Sequence, residues 1–409
     1  PELFQTYNSF FNTGVFLTVP GGKAQEDFNS PLEPGDACGV NLVSGDMEIT
    51  AIGTVSWVSS NLILAFGHPF SQSGHVRLPL CRAYIDTIIP KLDISYKIGV
   101  RGEEIGSIIE DRSTAILGVI GARAGRIPVT VNLESEVQKQ KLTYQITDDP
   151  SYFRDLAAMT VMNSLLYFES AVEESQLDVE IKIATDYHDK NIYFRETFSG
   201  IDNASTLNQM LAVFMNTFLY LRFNRFNPVA AKSIEARLTL ANSMDFAEIT
   251  DLQIDRSVYR PKDKISARAR LACYKGQTFT TNLAIELPAD IEEGEYLVNL
   301  SSGYFWLSAD AGLSPEKYLP EDLEQAFDLL SLESGSRSLC LWLVTKRQGV
   351  LINGKDYENL PRSKYEQMLK TRSARKSPSF SLIKSMLPQN FPVTGMKSLR
   401  FSVKKDIYE

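Results

Sequence analysis

The sequence predicts a mainly β protein with inserted helices, and three patterns carry that expectation. Short runs rich in Val, Ile, Thr and Trp recur from Gly35 to about residue 146, each bounded by Gly, Ser, Asn or Pro. Two apolar stretches, near residues 150–170 and 205–225, interrupt them at helical spacing. From Ser233 the alternation of apolar and polar residues returns.

The elements follow in order. Phe4, Tyr7, Phe10, Phe11 and Val15 sit near helical spacing, and Pro20-Gly21-Gly22 ends that piece. Strands are expected at Ala37 to Leu42, Met47 to Val58 and Leu62 to Phe66. Further ones are expected at 83–89, 95–100, 104–110, 114–120, 127–131 and 141–146. So many short strands at regular intervals predict a closed or nearly closed β-barrel. Asp149-Pro150 opens a helix to about Ser170, because proline suits a first turn and an acid suits the positive helix end. Residues 177–185 and 192–197 form a hairpin around His188, and a second helix runs from Ser205 to about Arg225. Strands at 234–240, 249–254, 265–274, 278–287 and 295–300 have the spacing of an immunoglobulin-like β-sandwich. The rest is a mixed α/β module, with a helix at Pro320–Leu332 and strands at 338–345 and 399–404. The organisation is thus an N-terminal helix and linker (1–33), a barrel with two helices (34–230), a sandwich (231–302) and a mixed C-terminal module (303–409).

At 409 residues the chain is too long for one core, and two to four domains are expected. Its net charge of −8 argues against a nucleic-acid partner. The basic residues of the last third, such as Lys370, Arg372, Arg375 and Lys376, read as a solvated face. No apolar run approaches the roughly 18–20 residues that span a bilayer, so no transmembrane segment is expected. Cys38, Cys81, Cys273 and Cys340 are too widely spaced for a zinc site, and no phosphate-loop, dinucleotide or EF-hand spacing occurs. No cofactor is expected. Buried free thiols are the expectation, with a Cys38–Cys81 disulfide the alternative in an oxidising compartment.

A histidine-dependent mechanism has three candidates, His68, His75 and His188. His188 lies in a polar turn. His68 ends the apolar strand 62–66, directly after Gly67 and before Pro69, where a strand end can present an imidazole as a general base.

Residues 34–70 carry Pro34-Gly35-Asp36, Gly53-Thr54-Val55 and Phe66-Gly67-His68-Pro69-Phe70; Asp111-Arg112-Ser113-Thr114 follows. This combination resembles the peptidase domain of the SpoIVB serine peptidase family and its longer bacterial envelope relatives. The resemblance implies a chymotrypsin-like β-barrel, a Ser-His-Asp mechanism and a periplasmic or secreted location. Carried over residue by residue, His68 takes the place of the base. Asp149 takes that of the orienting acid, and Ser164, 15 residues on, stands where a nucleophile could follow. The family surrounds its nucleophile with Gly-x-Ser-Gly-Ser-Pro, which occurs nowhere in this chain, and the neighbours of Ser164 include no glycine to build an oxyanion hole. In longer relatives that motif lies upstream, so the chain is expected to lack an N-terminal segment. Ser71, Ser73 and Cys81 are further nucleophile candidates, and Asp86, Asp93 and Asp111 further orienting acids. Asp111 and Arg112 are expected to pair with each other. Two functions follow: an envelope protein with a degenerate or incomplete peptidase domain that binds other envelope proteins or its missing segment, or a serine endopeptidase active only with that segment.

Overall fold

The computed structural model describes residues 30–405 apart from 91, 93–95, 166–174, 201–216, 219–220, 242–244, 332–334, 347–348, 353–354, 359, 372–373 and 377–379. The helix expected within 1–19 and most of the one expected at 205–225 lie outside the described residues. The protein is mainly β and divides into two compact units.

The first unit contains β1 (Ala37–Gly45), β2 (Ile49–Ser59), β3 (Leu62–Ala65), β4 (Gly74–Ile89), β5 (Tyr96–Asp111) and β6 (Ile116–Ile120). These pair in the order β1-β2-β3-β6-β5-β4, and β4 returns to β1 through Cys38↔Arg82 and Gly39↔Cys81, which closes a six-stranded ring. Closure satisfies the backbone donors and acceptors that an open sheet leaves at its edges. Val40, Ile63, Leu78, Leu80, Ile108 and Ile116 fill the ring and are fully buried. Each such Leu or Ile stabilises the fold by roughly 1.5–3 kcal/mol.

The C-terminal half of β1 parts from β4 while Val43 still pairs with β2. Val43, Ser44 and Gly45 pair with β8 (Lys139–Thr147), which pairs with β7 (Arg126–Ser135). Next to β7 lies β11 (Ala231–Ala241), in parallel register. The alternation at 234–240 suggested a first sandwich strand; these residues instead line up with 129–135 of the first unit, because period-two alternation specifies a face and not a sheet. The order continues through β9 (Ser175–Thr185) to β10 (Asn191–Gly200). Helix α1 (Phe153–Ser164) follows β8. It starts where the Asp149 carbonyl accepts from the amides of Tyr152 and Phe153, and the last residues of the expected helix lie outside the described residues.

In the second unit, β12 (Ala247–Ile254), β14 (Lys264–Cys273), β15 (Thr278–Glu286) and β22 (Val393–Thr394) form a four-stranded sheet ordered β15-β14-β12-β22. The strands β13 (Val258–Tyr259), β16 (Gly294–Ser302), β17 (Ser338–Lys346), β21 (Phe380–Pro388) and β23 (Met396–Val403) form a five-stranded sheet ordered β13-β23-β16-β17-β21. Ile249, Ile265, Leu271, Val298, Leu341 and Phe401 meet in one core between them. That core draws on residues far beyond 302, where the sequence suggested a boundary, because the partners of β16 come from β17 and β23. A three-stranded sheet joins β18 (Gly349–Ile352), β19 (Lys355–Glu358) and β20 (Ala374–Lys376). Helices α2 (Gly303–Leu313), α3 (Leu323–Leu330) and α4 (Arg362–Met368) and a 3-10 turn at Pro315–Tyr318 also belong to this unit. In α3 the Asp322 side chain caps the Gln325 amide, 2.8 Å away, which fixes the start of the expected helix.

Candidate functional site

The loop from Phe66 to Ser73 joins β3 to β4 and carries His68. Phe66 (φ 72°) and Gly67 (φ 71°) are both left-handed, which turns the chain sharply out of the strand. Glycine adopts this without strain, whereas Phe66 costs roughly 1–2 kcal/mol. Gly53 makes room for it: a β-carbon there would lie 2.2 Å from the Phe66 ring. The Phe66 amide also donates to the Thr54 carbonyl at 2.9 Å.

A single carboxylate holds the far side of the loop. Asp111, at the end of β5, is fully buried. It accepts from the amides of Phe70 (2.8 Å), Ser71 (2.8 Å) and Ser73 (3.2 Å) and from the Ser71 hydroxyl (3.1 Å). Burial works against its charge, but the amides of Ser71, Phe70 and Ser73 outweigh that effect and hold the carboxyl below its ordinary range. Tyr152, just before α1, adds a second point of attachment. Its hydroxyl hydrogen-bonds Ser71 Oγ, and its ring lies 5.8 Å from that of Phe70. Burial raises the Tyr152 phenol, so it stays protonated. Ser71 Oγ also lies 2.8 Å from Ser73 Oγ.

His68 itself is exposed. Its Nδ1 lies 2.7 Å from the Pro69 carbonyl, an arrangement in which Nδ1 carries the proton and donates. Among the described residues, no serine hydroxyl or cysteine thiol hydrogen-bonds the ring.

The other two residues of the expected triad lie elsewhere. Asp149 is buried, and its carboxylate accepts from the amides of Ser151 (2.9 Å) and Arg77 (3.4 Å). It caps the turn before α1. Ser164 is fully buried within α1, donates to the Thr160 carbonyl at 2.8 Å and shares a 3.0 Å hydrogen bond with the Tyr144 hydroxyl. The three side chains do not form a hydrogen-bonded relay.

Of the further candidates, Cys81 and Cys38 are buried free thiols, not a disulfide, and burial pushes each up to about 12. Neither supplies a thiolate at neutral pH. Arg112 pairs with Glu110 at 2.6 Å and not with Asp111, whose carboxylate faces the loop. Glu110 also meets His75 at 2.5 Å. His188 sits in its turn at φ 48°. The residue that sequence reasoning undervalued is Asp111. The signal available for it was an acid directly after the apolar-rich strand β5, where a side chain can be buried.

At the other end of the ring a polar network is fully paired. Glu48 accepts from Arg101 and from Asn41 (2.7 Å), while Arg126 donates to Asn41 Oδ1 (2.6 Å) and Glu104 (2.7 Å). Among the described residues, no cluster of His, Cys, Asp and Glu could hold a metal ion, and no helix is long and apolar enough to cross a membrane. No family model, curated protein or solved structure matches the chain.

Proposed function

We propose that this chain is a bacterial cell-envelope protein whose SpoIVB-peptidase-like barrel and immunoglobulin-like sandwich act through protein–protein binding, and that the chain does not cleave peptides by itself. One observation carries the reading. The loop that presents His68 is fastened at four donors by Asp111, yet the hydroxyls around it are engaged with Asp111 and Tyr152, not with the imidazole. A serine nucleophile needs its proton aimed at the base, and backbone amides converging on the oxyanion. Here the convergent amides of Phe70, Ser71 and Ser73 already bind a carboxylate. Ser164 cannot substitute, since its hydroxyl is buried against Thr160 and Tyr144. Fold alone confers no activity.

A second reading is a serine endopeptidase completed by a segment bearing Gly-x-Ser-Gly-Ser-Pro from outside residues 1–409. The exposure of His68 is what speaks for it, because an exposed ring can meet a hydroxyl supplied by another segment. Exposure of the chain to a fluorophosphonate probe decides the main proposal. No labelling is expected, with or without His68→Ala. Labelling that disappears in His68→Ala would overturn it and restore a working hydrolase.

A further inference from the structure

We propose that the chain's own N-terminal segment, residues 3–19, docks on one face of the hairpin that β4 and β5 extend past the ring. Segment and hairpin both belong to the first unit. β4 pairs with β1 only through Leu80, Cys81 and Arg82, and β5 pairs with β6 only from Gly106 onward. Among the described residues, 83–89 and 96–101 therefore pair with each other alone. A two-stranded piece of this kind is marginal in water without something packed on it.

The two faces of the hairpin differ. Tyr84 lies opposite Val100 and Thr87 opposite Ile98, and the register slips by one residue at Asp86, which brings Ile89 onto the same face as Tyr84. Lys97 and Arg101 lie on the other face and reach back to Thr54 (2.6 Å) and Glu48. The first face is apolar and turned away from those contacts. Tyr84 is 45% and Ile89 43% exposed, whereas Ile63, Ile108 and Ile116 inside the ring are at 0%. Ile98 and Val100 are half-buried. Apolar side chains grouped in this way mark a surface that another element covers.

Where the chain joins the fold decides the occupant. Strand alternation puts Arg82 on the Tyr84 face. Its guanidinium donates to the Ser30 carbonyl at 2.5 Å, so the residues before Ser30 meet the fold at the base of this face. Of residues 1–19 only Glu2 is charged, and Phe4, Tyr7, Phe11 and Val15 recur at helical spacing. A helix over 4–15 is about 18 Å long, against about 23 Å for the strand from Arg82 to Ile89. Residues 20–29, with Lys23, Glu26 and Asp27, form a polar connection. Its ten residues reach at most about 33–36 Å, enough to return the segment along the hairpin. A tether that short keeps the segment at a local concentration on the order of mM, which favours it over a separate partner.

Photoreactive benzoylphenylalanine in place of Tyr7, in the full chain, tests the docking. Irradiation is expected to cross-link position 7 to residues 82–89 or 97–101, as mapped by peptide mass spectrometry. The yield should stay constant over about a hundredfold dilution, because the contact lies within one chain. Ile89→Glu with Ile98→Glu puts charge into the covered face and is expected to lower the yield at least about fivefold. Ile88→Glu, on the opposite face across from Lys97, is the control and is expected to leave the yield unchanged. No cross-link to the hairpin, a yield unchanged by the double substitution, or an equal loss in Ile88→Glu would remove the docking site. Cross-links that join two chains and vanish on dilution would also remove it, by giving the face to a second copy. Should the double variant fail to fold, the cross-link map of the chain without these glutamates decides.

Discussion

The tripeptide Asp-Arg-Ser occurs twice, at 111–113 in the first unit and at 255–257 in the second, and the two copies do different work. Asp111 is fully buried and holds a loop some 40 residues away in sequence. Arg112 turns from it to Glu110 and stays largely exposed. Asp255 is an exposed carboxylate that acts locally, accepting from the Ser266 amide (2.9 Å) and the Tyr259 hydroxyl (2.8 Å). Arg256 stays close to it, reaching Asp255 and Asp263 at 3.3 Å each while its guanidinium covers the Tyr259 ring at 4.8 Å. Identical local sequence therefore does not choose the partner. Burial does, because a carboxylate withdrawn from water must find several donors, whereas an exposed one needs few.

The comparison can be broken by substitution. Asp111→Ala is expected to cost about 3 kcal/mol, since it removes one acceptor from four donors at a buried site. The urea midpoint of the full chain measures it. A cost below that of Asp255→Ala would reverse the ranking.

Acid should act on both carboxylates in the same direction. Both are held below their ordinary range: in each, burial opposes the charge and is outweighed by hydrogen bonds. The folded protein therefore binds fewer protons than the unfolded chain in the acid window. The stabilisation is complete above the unfolded value, about 3.9, and is lost as pH falls through the lower folded value. Unfolding midpoints taken from pH 5 to pH 2 should fall less steeply in Asp111→Asn than in the unsubstituted chain. An unchanged slope would mean that Asp111 is not the anion in the loop.

Asp255→Ala comes third, at about 1 kcal/mol, because water can replace the exposed acceptor. Smallest are the arginines. Arg256→Ala should cost up to about 1 kcal/mol through its ring contact and two ion pairs, and Arg112→Ala under about 0.5 kcal/mol. Equal costs would show that the contact with Tyr259 contributes nothing measurable.

Much of the β architecture was legible because strands announce themselves by alternation and by their turns. The Leu62–Ala65 strand with its Gly67 turn is the clearest instance, and Leu323–Leu330 behind its Asp322 cap is the helical one. What alternation does not encode is which strands meet. Residues 234–240 therefore paired with β7, contrary to expectation, and β17 and β23 joined the core begun by β12 to β16. The site was legible only in part. His68 was found because its neighbours Gly67 and Pro69 constrain the backbone. Asp111 was noticed but given the wrong partner, since an adjacent arginine suggests a pair and the loop amides that bind it have no signature in the sequence.

One strand has a consequence for how the barrel comes apart. β1 is a fork: residues 38–40 hold β4, and residues 43–45 hold β8. A fluctuation that peels β1 from either neighbour tugs on the other, so ring and extension should open together and not in sequence. Amide protons of Val40 and Val43 are then expected to exchange with deuterium at one shared rate, set by that joint opening.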